Sequence, residues 1–243
     1  MLLRSMLALP LVLGLACATC ARAQLPAAAP QLAAGDTWVY NRRNAFNDEF
    51  VATYRHRVAA IKDNSVWLEV VRQGDADGVN QTYTADWNWV AASLTNMQRF
   101  NFSPPLPAYV FPLEVGRHWQ QDITATDPGT GKRFNVKVYG WVLGIERVKV
   151  PAGEFDAYKI RRGIYAGDFD LWKTQTRILE YDWYVPAVNG VVKHEDASEY
   201  NLTSGRGWPL IKGDRSRWEL VSYTPGARKA ASTPAQSPQG DRP

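Results

Sequence analysis

Leu179-Glu180-Tyr181-Asp182-Trp183-Tyr184-Val185 alternates with a period of two: Leu179, Tyr181, Trp183 and Val185 fall on one side of an extended chain, Glu180, Asp182 and Tyr184 on the other. Successive side chains of a strand point to opposite faces, whereas a helix repeats every three to four residues. The pattern recurs on the amino-terminal side. Phe134, Val136 and Val138 alternate with Asn135 and Lys137; Val66, Leu68 and Val70 share a face; Phe50, Ala52, Tyr54, Val58 and Ala60 share another, with His56 among them. Turn-forming groups such as Lys62-Asp63-Asn64, Asp127-Pro128-Gly129 and Pro151-Ala152-Gly153 separate the runs. Connections this short join antiparallel neighbours, because parallel strands need a long crossover. No long helical pattern competes, so the expectation is an all-β protein built on an antiparallel sheet.

The boundaries of that sheet follow from where the aromatics lie. All 10 Trp, 11 Tyr and 8 Phe fall within residues 35–223, which are expected to form one β domain. Residues 1–23 read as a signal peptide: Arg4, an apolar stretch from Met6 to Ala18, then Ala21-Arg22-Ala23 as the processing site. A lipoprotein signal ending at Cys17 is the lesser alternative, since Gly14 stands where a bulky aliphatic residue belongs. Both cysteines, Cys17 and Cys20, lie in the leader, so cleavage after Ala23 leaves a thiol-free chain. Residues 24–34 have the composition of a Pro/Ala linker, and 224–243 that of a disordered tail whose removal would leave stability unchanged.

Composition excludes several function classes. Formal net charge is +4, but the excess sits in the leader and tail, which leaves 35–223 neutral. A nucleic-acid partner needs clustered Lys and Arg, and only pairs such as Arg42-Arg43 and Arg161-Arg162 occur. Outside the leader no apolar run is long enough to span a bilayer as a helix.

An echo runs through the chain. Leu32-Ala33-Ala34-Gly35-Asp36-Thr37-Trp38 and Leu113-Glu114-Val115-Gly116-Arg117-His118-Trp119 share L-x-x-G-x-x-W, and Asp86-Trp87-Asn88-Trp89-Val90 parallels Asp182-Trp183-Tyr184-Val185. The order is compatible with an internal duplication, in which two meanders, 35–107 and 113–223, bury their apolar faces against each other.

Phe111-Pro112-Leu113-Glu114-Val115-Gly116-Arg117-His118-Trp119, the Val150–Ile160 segment around Pro151-Ala152-Gly153, Trp183-Tyr184-Val185-Pro186 and Gly190-Val191-Val192-Lys193 resemble the TapB-like family of exported bacterial proteins of unknown function. The resemblance spans most of 35–223 and rests on turn and strand signatures. Glu154 departs from it, standing where a small Thr is usual. It implies a curved antiparallel sheet of the half-barrel kind and a periplasmic location, and it supplies no catalytic residue.

Candidate chemistries are few. His56, His118 and His194 are scattered, and His194-Glu195-Asp196 reads as a solvated strand edge, so no metal site is expected. No G-x-S-x-G elbow is present, and Gly129-Thr130-Gly131-Lys132 lacks the P-loop frame. Glu180 and Asp182 share a strand face, as an acid/base pair for glycoside cleavage would, with Trp172, Trp183 and Tyr184 as sugar platforms; alternation on a half-exposed strand explains the pair equally. Trp87 and Trp89, two apart, would share a face, either in the core or lining a concavity.

The resulting expectation is a non-enzymatic periplasmic or cell-envelope protein without cofactor. Its aromatic-rich sheet would bind a hydrophobic, lipid-like ligand or an envelope partner through Trp87, Trp89, Trp183 and Tyr184. The alternative is a carbohydrate-binding or glycoside-active protein using exposed Trp with Glu180 and Asp182. Aromatics turned inward favour the first, and a flat exposed Trp strip the second.

Overall fold

The structure is a computed structural model, and it describes residues 26–94, 99–167, 172–203 and 207–228. The leader with Cys17 and Cys20, and the tail beyond 228, lie outside the described residues. Twelve strands follow in chain order: β1 (Thr37–Asn44), β2 (Glu49–Lys62), β3 (Ser65–Arg72), β4 (Val79–Thr84), β5 (Trp89–Ser93), β6 (Arg99–Leu106), β7 (His118–Thr126), β8 (Arg133–Val150), β9 (Gly153–Ala166), β10 (Thr176–Val185), β11 (Gly190–Asn201) and β12 (Leu210–Thr224). A single 3-10 turn, Pro186–Val188, is the only helical element among the described residues, and no helix there is long and apolar enough to cross a membrane.

Every strand pairs antiparallel with its neighbour in sequence, and β12 pairs with β1, so the sheet closes into a barrel. This corrects the half-barrel expectation. A half-barrel leaves two rows of unpaired backbone groups at its edges; here Trp38 is opposite Tyr223 and Arg42 opposite Trp218, which seals them. The two expected meanders do not pack face to face either. They join edge to edge, through β6–β7 at one seam and β12–β1 at the other.

The L-x-x-G-x-x-W echo has a geometric counterpart six strands apart. Gly35 and Gly116 both take a left-handed φ, 91° and 90°. The Gly35 N–H donates to Val58 O and the Val58 N–H to Asp36 O; likewise the Gly116 N–H donates to Val142 O and the Val142 N–H to Arg117 O. Trp38 and Trp119 then open β1 and β7, each anchoring its indole N–H on a backbone carbonyl, Val188 O and Pro107 O respectively. Trp119 lies across bare backbone, for a Cβ on Gly140 would come within 2.0 Å of its ring.

Twelve strands enclose more space than side chains of one layer can fill, and the two halves of the lumen differ. On the β5–β10 side, Phe100, Phe102, Ile123, Phe134, Val136, Val138 and Ile164 close-pack into a buried core. On the β1–β5 and β10–β12 side a cavity remains. The outer face is charged, with cross-strand pairs Arg55–Glu69, Lys137–Asp122, Arg177–Glu199 and Arg217–Glu195.

One end is strapped shut. Ala27 and Leu113 exchange two backbone hydrogen bonds, and the Gln31 N–H donates to Asn189 Oδ1. Asp36, fully buried, accepts from the Ala33 N–H at 2.8 Å, the Gly226 N–H at 2.7 Å and the Tyr223 hydroxyl at 3.3 Å, with Arg228 3.6 Å away. Residues on both sides of 35–223 therefore pack onto the barrel.

Candidate functional site

The cavity runs from Trp38 and Trp87 at the strapped end to Val79, Ser198 and Asp214 at the other, and its volume is about 390 Å3. Val79 lines it while remaining exposed, which places the opening at the unstrapped end. One wall is apolar and aromatic: Leu68 and Val70 from β3, Tyr83 from β4, then Trp87 and Trp89. Trp38 meets Trp87 edge to face at 5.6 Å and stacks on Tyr223 at 5.3 Å.

The opposite wall carries charge, and this corrects the reading of β10. Glu180 and Asp182 are 4% and 2% exposed and point into the lumen, whereas Tyr181 and Trp183 face outward. The cause is Arg162 on the neighbouring strand, in register with Glu180. Its guanidinium, 2% exposed, places Nη2 2.7 Å from Glu180 Oε2 and Nη1 2.6 Å from Asp182 Oδ2. A buried carboxylate is tolerated only when paired and hydrogen-bonded, and here each is both. The pair is therefore locked on one cation. An acid/base couple for glycoside cleavage needs one carboxyl able to carry a proton, and Asp182 is not suited to that: burial favours its protonated form, but Arg162 and His194 override this and hold it well below the usual carboxylate range.

His194, expected at a solvated edge, also faces the lumen, because its strand neighbour Asp182 draws it inward. Its Nδ1 lies 2.6 Å from Asp182 Oδ1 and its Nε2 3.4 Å from Asp196 Oδ1. Burial alone would push its pKa down; the charge of Asp182 and hydrogen bonds to both carboxylates push it up to about 10, so it is a cation at neutral pH. Asp196 also accepts from the Ser216 hydroxyl, which in turn accepts from the Trp218 indole N–H. Tyr109 donates its hydroxyl to Asp182 Oδ2 at 2.5 Å, and burial raises its pKa far above the usual value.

Two further lumen groups were not singled out from sequence. His56 on β2 packs 5.0 Å from Tyr40 and 5.9 Å from Trp218. Burial, then the positive charge of His194, lowers its pKa to about 4, so it is neutral, and its Nε2 has no hydrogen-bond partner. Arg42 on β1 lies over the Trp218 ring at 5.3 Å. Among the described residues its guanidinium makes no hydrogen bond and no ion pair within 4 Å.

Of the four residues singled out as ligand contacts, two meet in the cavity. Trp89 enters at the start of β5, 6.3 Å from Phe102 and beneath the Arg162 guanidinium at 5.8 Å. Trp87 is in the β4–β5 turn with φ 61°, so it reaches the lumen from a turn rather than from a shared strand face. Trp183 points away from the lumen yet is only 6% exposed, packed in a buried apolar cluster and flanked by Lys159 at 5.1 Å and Lys193 at 4.4 Å, with its indole N–H donated to Glu146. Tyr184 is buried against Tyr109 and Phe111, outside the cavity. Among the described residues no three His, Cys, Asp or Glu side chains are arranged so that they could hold a metal ion.

No family model matches the chain, and no curated protein matches it. Among solved structures it is similar to a predicted lipoprotein from Parabacteroides distasonis, at 15% identity and TM-score 0.49 over 83% of this chain and 100% of that one. It is also similar to a predicted exported protein with a YmcC-like fold from Bacteroides fragilis, at 14% identity and TM-score 0.46 over 82% and 100%. A third is the hypothetical lipoprotein YmcC from Escherichia coli, at 9% identity and TM-score 0.39 over 79% and 85%. Likenesses this distant leave function to the lumen's own residues.

Proposed function

We propose that this chain is an exported, non-enzymatic binding protein of the cell envelope that holds a small, largely apolar ligand in the open half of its barrel. The observation that carries this reading is the 390 Å3 cavity with an inward aromatic wall. Ligand sites are typically concave, mostly apolar and of about this size, about 300–1,000 Å3. Trp38, Trp87 and Trp89 turn toward the space instead of forming a flat outer strip, which is the arrangement that separates an enclosed apolar ligand from a surface-bound glycan. Export rests on the leader at 1–23 with processing after Ala23.

Native mass spectrometry of the chain purified from the periplasm tests this. The expected result is a co-purified apolar small molecule in the wild type that is depleted in Trp89→Ala. A chain that arrives at its bare mass and binds no apolar fluorescent probe with micromolar affinity would sink the proposal.

A further inference from the structure

The lumen's charges of both signs interleave, and their placement points to the kind of head group its ligand carries. Two buried carboxylates, Glu180 and Asp182, and a half-buried third, Asp196, face three cations, Arg162, His194 and Arg42. Arg162 and His194 are spent on the carboxylates. Arg42 differs: it reaches Asp196 only through space and rests on Trp218, so its N–H donors have no acceptor among the described residues. Beside it stands His56, neutral, with a ring nitrogen likewise unpartnered. Asp214, half-buried like Asp196 and Arg42, lines the cavity nearer the open end and adds a fourth carboxylate there.

A ligand entering this space meets the unpaired Arg42 guanidinium with carboxylates on either side, Asp196 and Asp214. An anionic head at Arg42 would leave the low-dielectric lumen net negative beside Asp196. A cationic head would face Arg42 and His194 directly. Either case puts like charges close together in a half-buried site, which is unfavourable. An uncharged oxygen acceptor satisfies Arg42 without adding charge of either sign.

We infer that the lumen selects an uncharged amphiphile, with an ester, carbonyl or hydroxyl oxygen accepting from Arg42 and an aliphatic body against Leu68, Val70 and Trp89. This rests on the binding reading above. The test is fluorescence or calorimetric titration of the whole exported chain at pH 7 with three probes of one dodecyl length: monolaurin, dodecanoate and dodecylammonium, each below its micelle concentration. Monolaurin is expected to bind at least tenfold more tightly than either charged probe. Arg42→Met, which removes a cation beside Asp196, should weaken monolaurin and raise dodecylammonium relative to it by tenfold or more. Asp196→Asn, a second route should the first variant fold poorly, should raise dodecanoate instead. If a charged probe matches or exceeds monolaurin in the wild type, or if both variants keep the wild-type order, the inference is overturned while the lumen reading stands. If none of the three binds, both fall.

Discussion

Trp87 and Asn189 occupy matching places in two hairpin turns six strands apart, and the Trp87 indole N–H donates to the Asn189 carbonyl oxygen at 2.8 Å. Both take a left-handed φ, 61° and 49°, and both close an i to i+3 turn, on Thr84 O and Pro186 O. The contact ties the β4–β5 turn to the β10–β11 turn across the strapped end of the lumen. Trp87 is thus a structural staple as well as part of the cavity wall, while Trp89 mainly lines the cavity.

The two tryptophans should consequently respond differently to truncation. Trp87→Ala removes packing against Trp38 and Tyr83 and leaves Asn189 O without its donor, so a loss of about 3 kcal/mol is expected. Trp89→Ala should cost only about 1–2 kcal/mol, because part of its ring already faces the cavity, yet it should weaken binding of an apolar probe more than Trp87→Ala does. Denaturant melts read beside probe titrations decide this. Equal stability losses would show that the two are one packing unit.

Much of the strand content was legible because period-two alternation is a local property. Pro151-Ala152-Gly153 forms the β8–β9 turn, and the runs around Leu68 and Val136 are strands whose apolar sets face in. Closure was not legible, since pairing of β1 with β12 joins residues nearly the whole chain apart and nothing local counts strands. The phase of β10 was ambiguous: one face offers Leu179, Tyr181 and Trp183, the other Ile178 and Tyr184 along with two acids. The neighbouring strand could have resolved it. On β9, Tyr158, Ile160, Ile164 and Ala166 share one face, and Arg162 falls among them. A lone Arg in an apolar phase implies a buried acidic partner, and Glu180 and Asp182 were the available acids. Arg42 and His56 gave no such signal, because what sets them apart is a missing partner, visible only in three dimensions.

The two lumen histidines predict a stability optimum with opposed limbs. His194 has its pKa raised from 6.5 to about 10, so its contribution is fully present below 6.5 and is lost as pH rises toward 10. His56 is held neutral down to about pH 4, while the unfolded chain takes up a proton near 6.5, so stability also falls as pH drops from 6.5 to 4. Each limb should have a slope of up to about 1.4 kcal/mol per pH unit. Urea melts from pH 4 to 10 should show His194→Gln flattening the alkaline limb. The same change should shorten the acid limb, because the His194 charge helps keep His56 neutral. His56→Gln should flatten the acid limb alone. Limbs unchanged by either substitution would place the titrating groups elsewhere.

Asp36 predicts that the start of the carboxyl-terminal segment matters, contrary to what its composition suggests. A chain ending at Thr224 loses the Gly226 N–H and Arg228, leaving a fully buried carboxylate with fewer donors. Hydrogen bonds to charged groups contribute about 1.5–3 kcal/mol, so melting should fall by several degrees. A chain ending at Arg228 keeps these contacts and should melt with the full-length chain. Identical melting of the two truncations would mean that the Ala33 N–H and Tyr223 hydroxyl suffice for Asp36.

Arg162 gives the sharpest test of the charged wall. Replacing it with Met keeps much of the side-chain volume but leaves Glu180 and Asp182 buried without their shared cation. Removing one partner of a buried ion pair typically costs about 3–5 kcal/mol, because the remaining carboxylates cannot recover their hydration. The pH dependence separates this cause from simple loss of packing. In the wild type, Asp182 is held ionised, so its contribution is present above its unfolded pKa and is lost as pH falls through the depressed folded value. In the variant the carboxylate pair has lost one neighbouring positive charge and so takes up a proton more readily than in the wild type, and acidification relieves the defect. The gap between wild type and Arg162→Met should therefore narrow as pH drops from 7 toward 4. Arg162→Lys should lie between them, since an ammonium restores the charge but cannot fork to both carboxylates. A deficit that stays constant with pH would assign Arg162 a packing role. A variant as stable as the wild type at pH 7 would mean that the carboxylates reach water through the open lumen, and the buried-network account would fail.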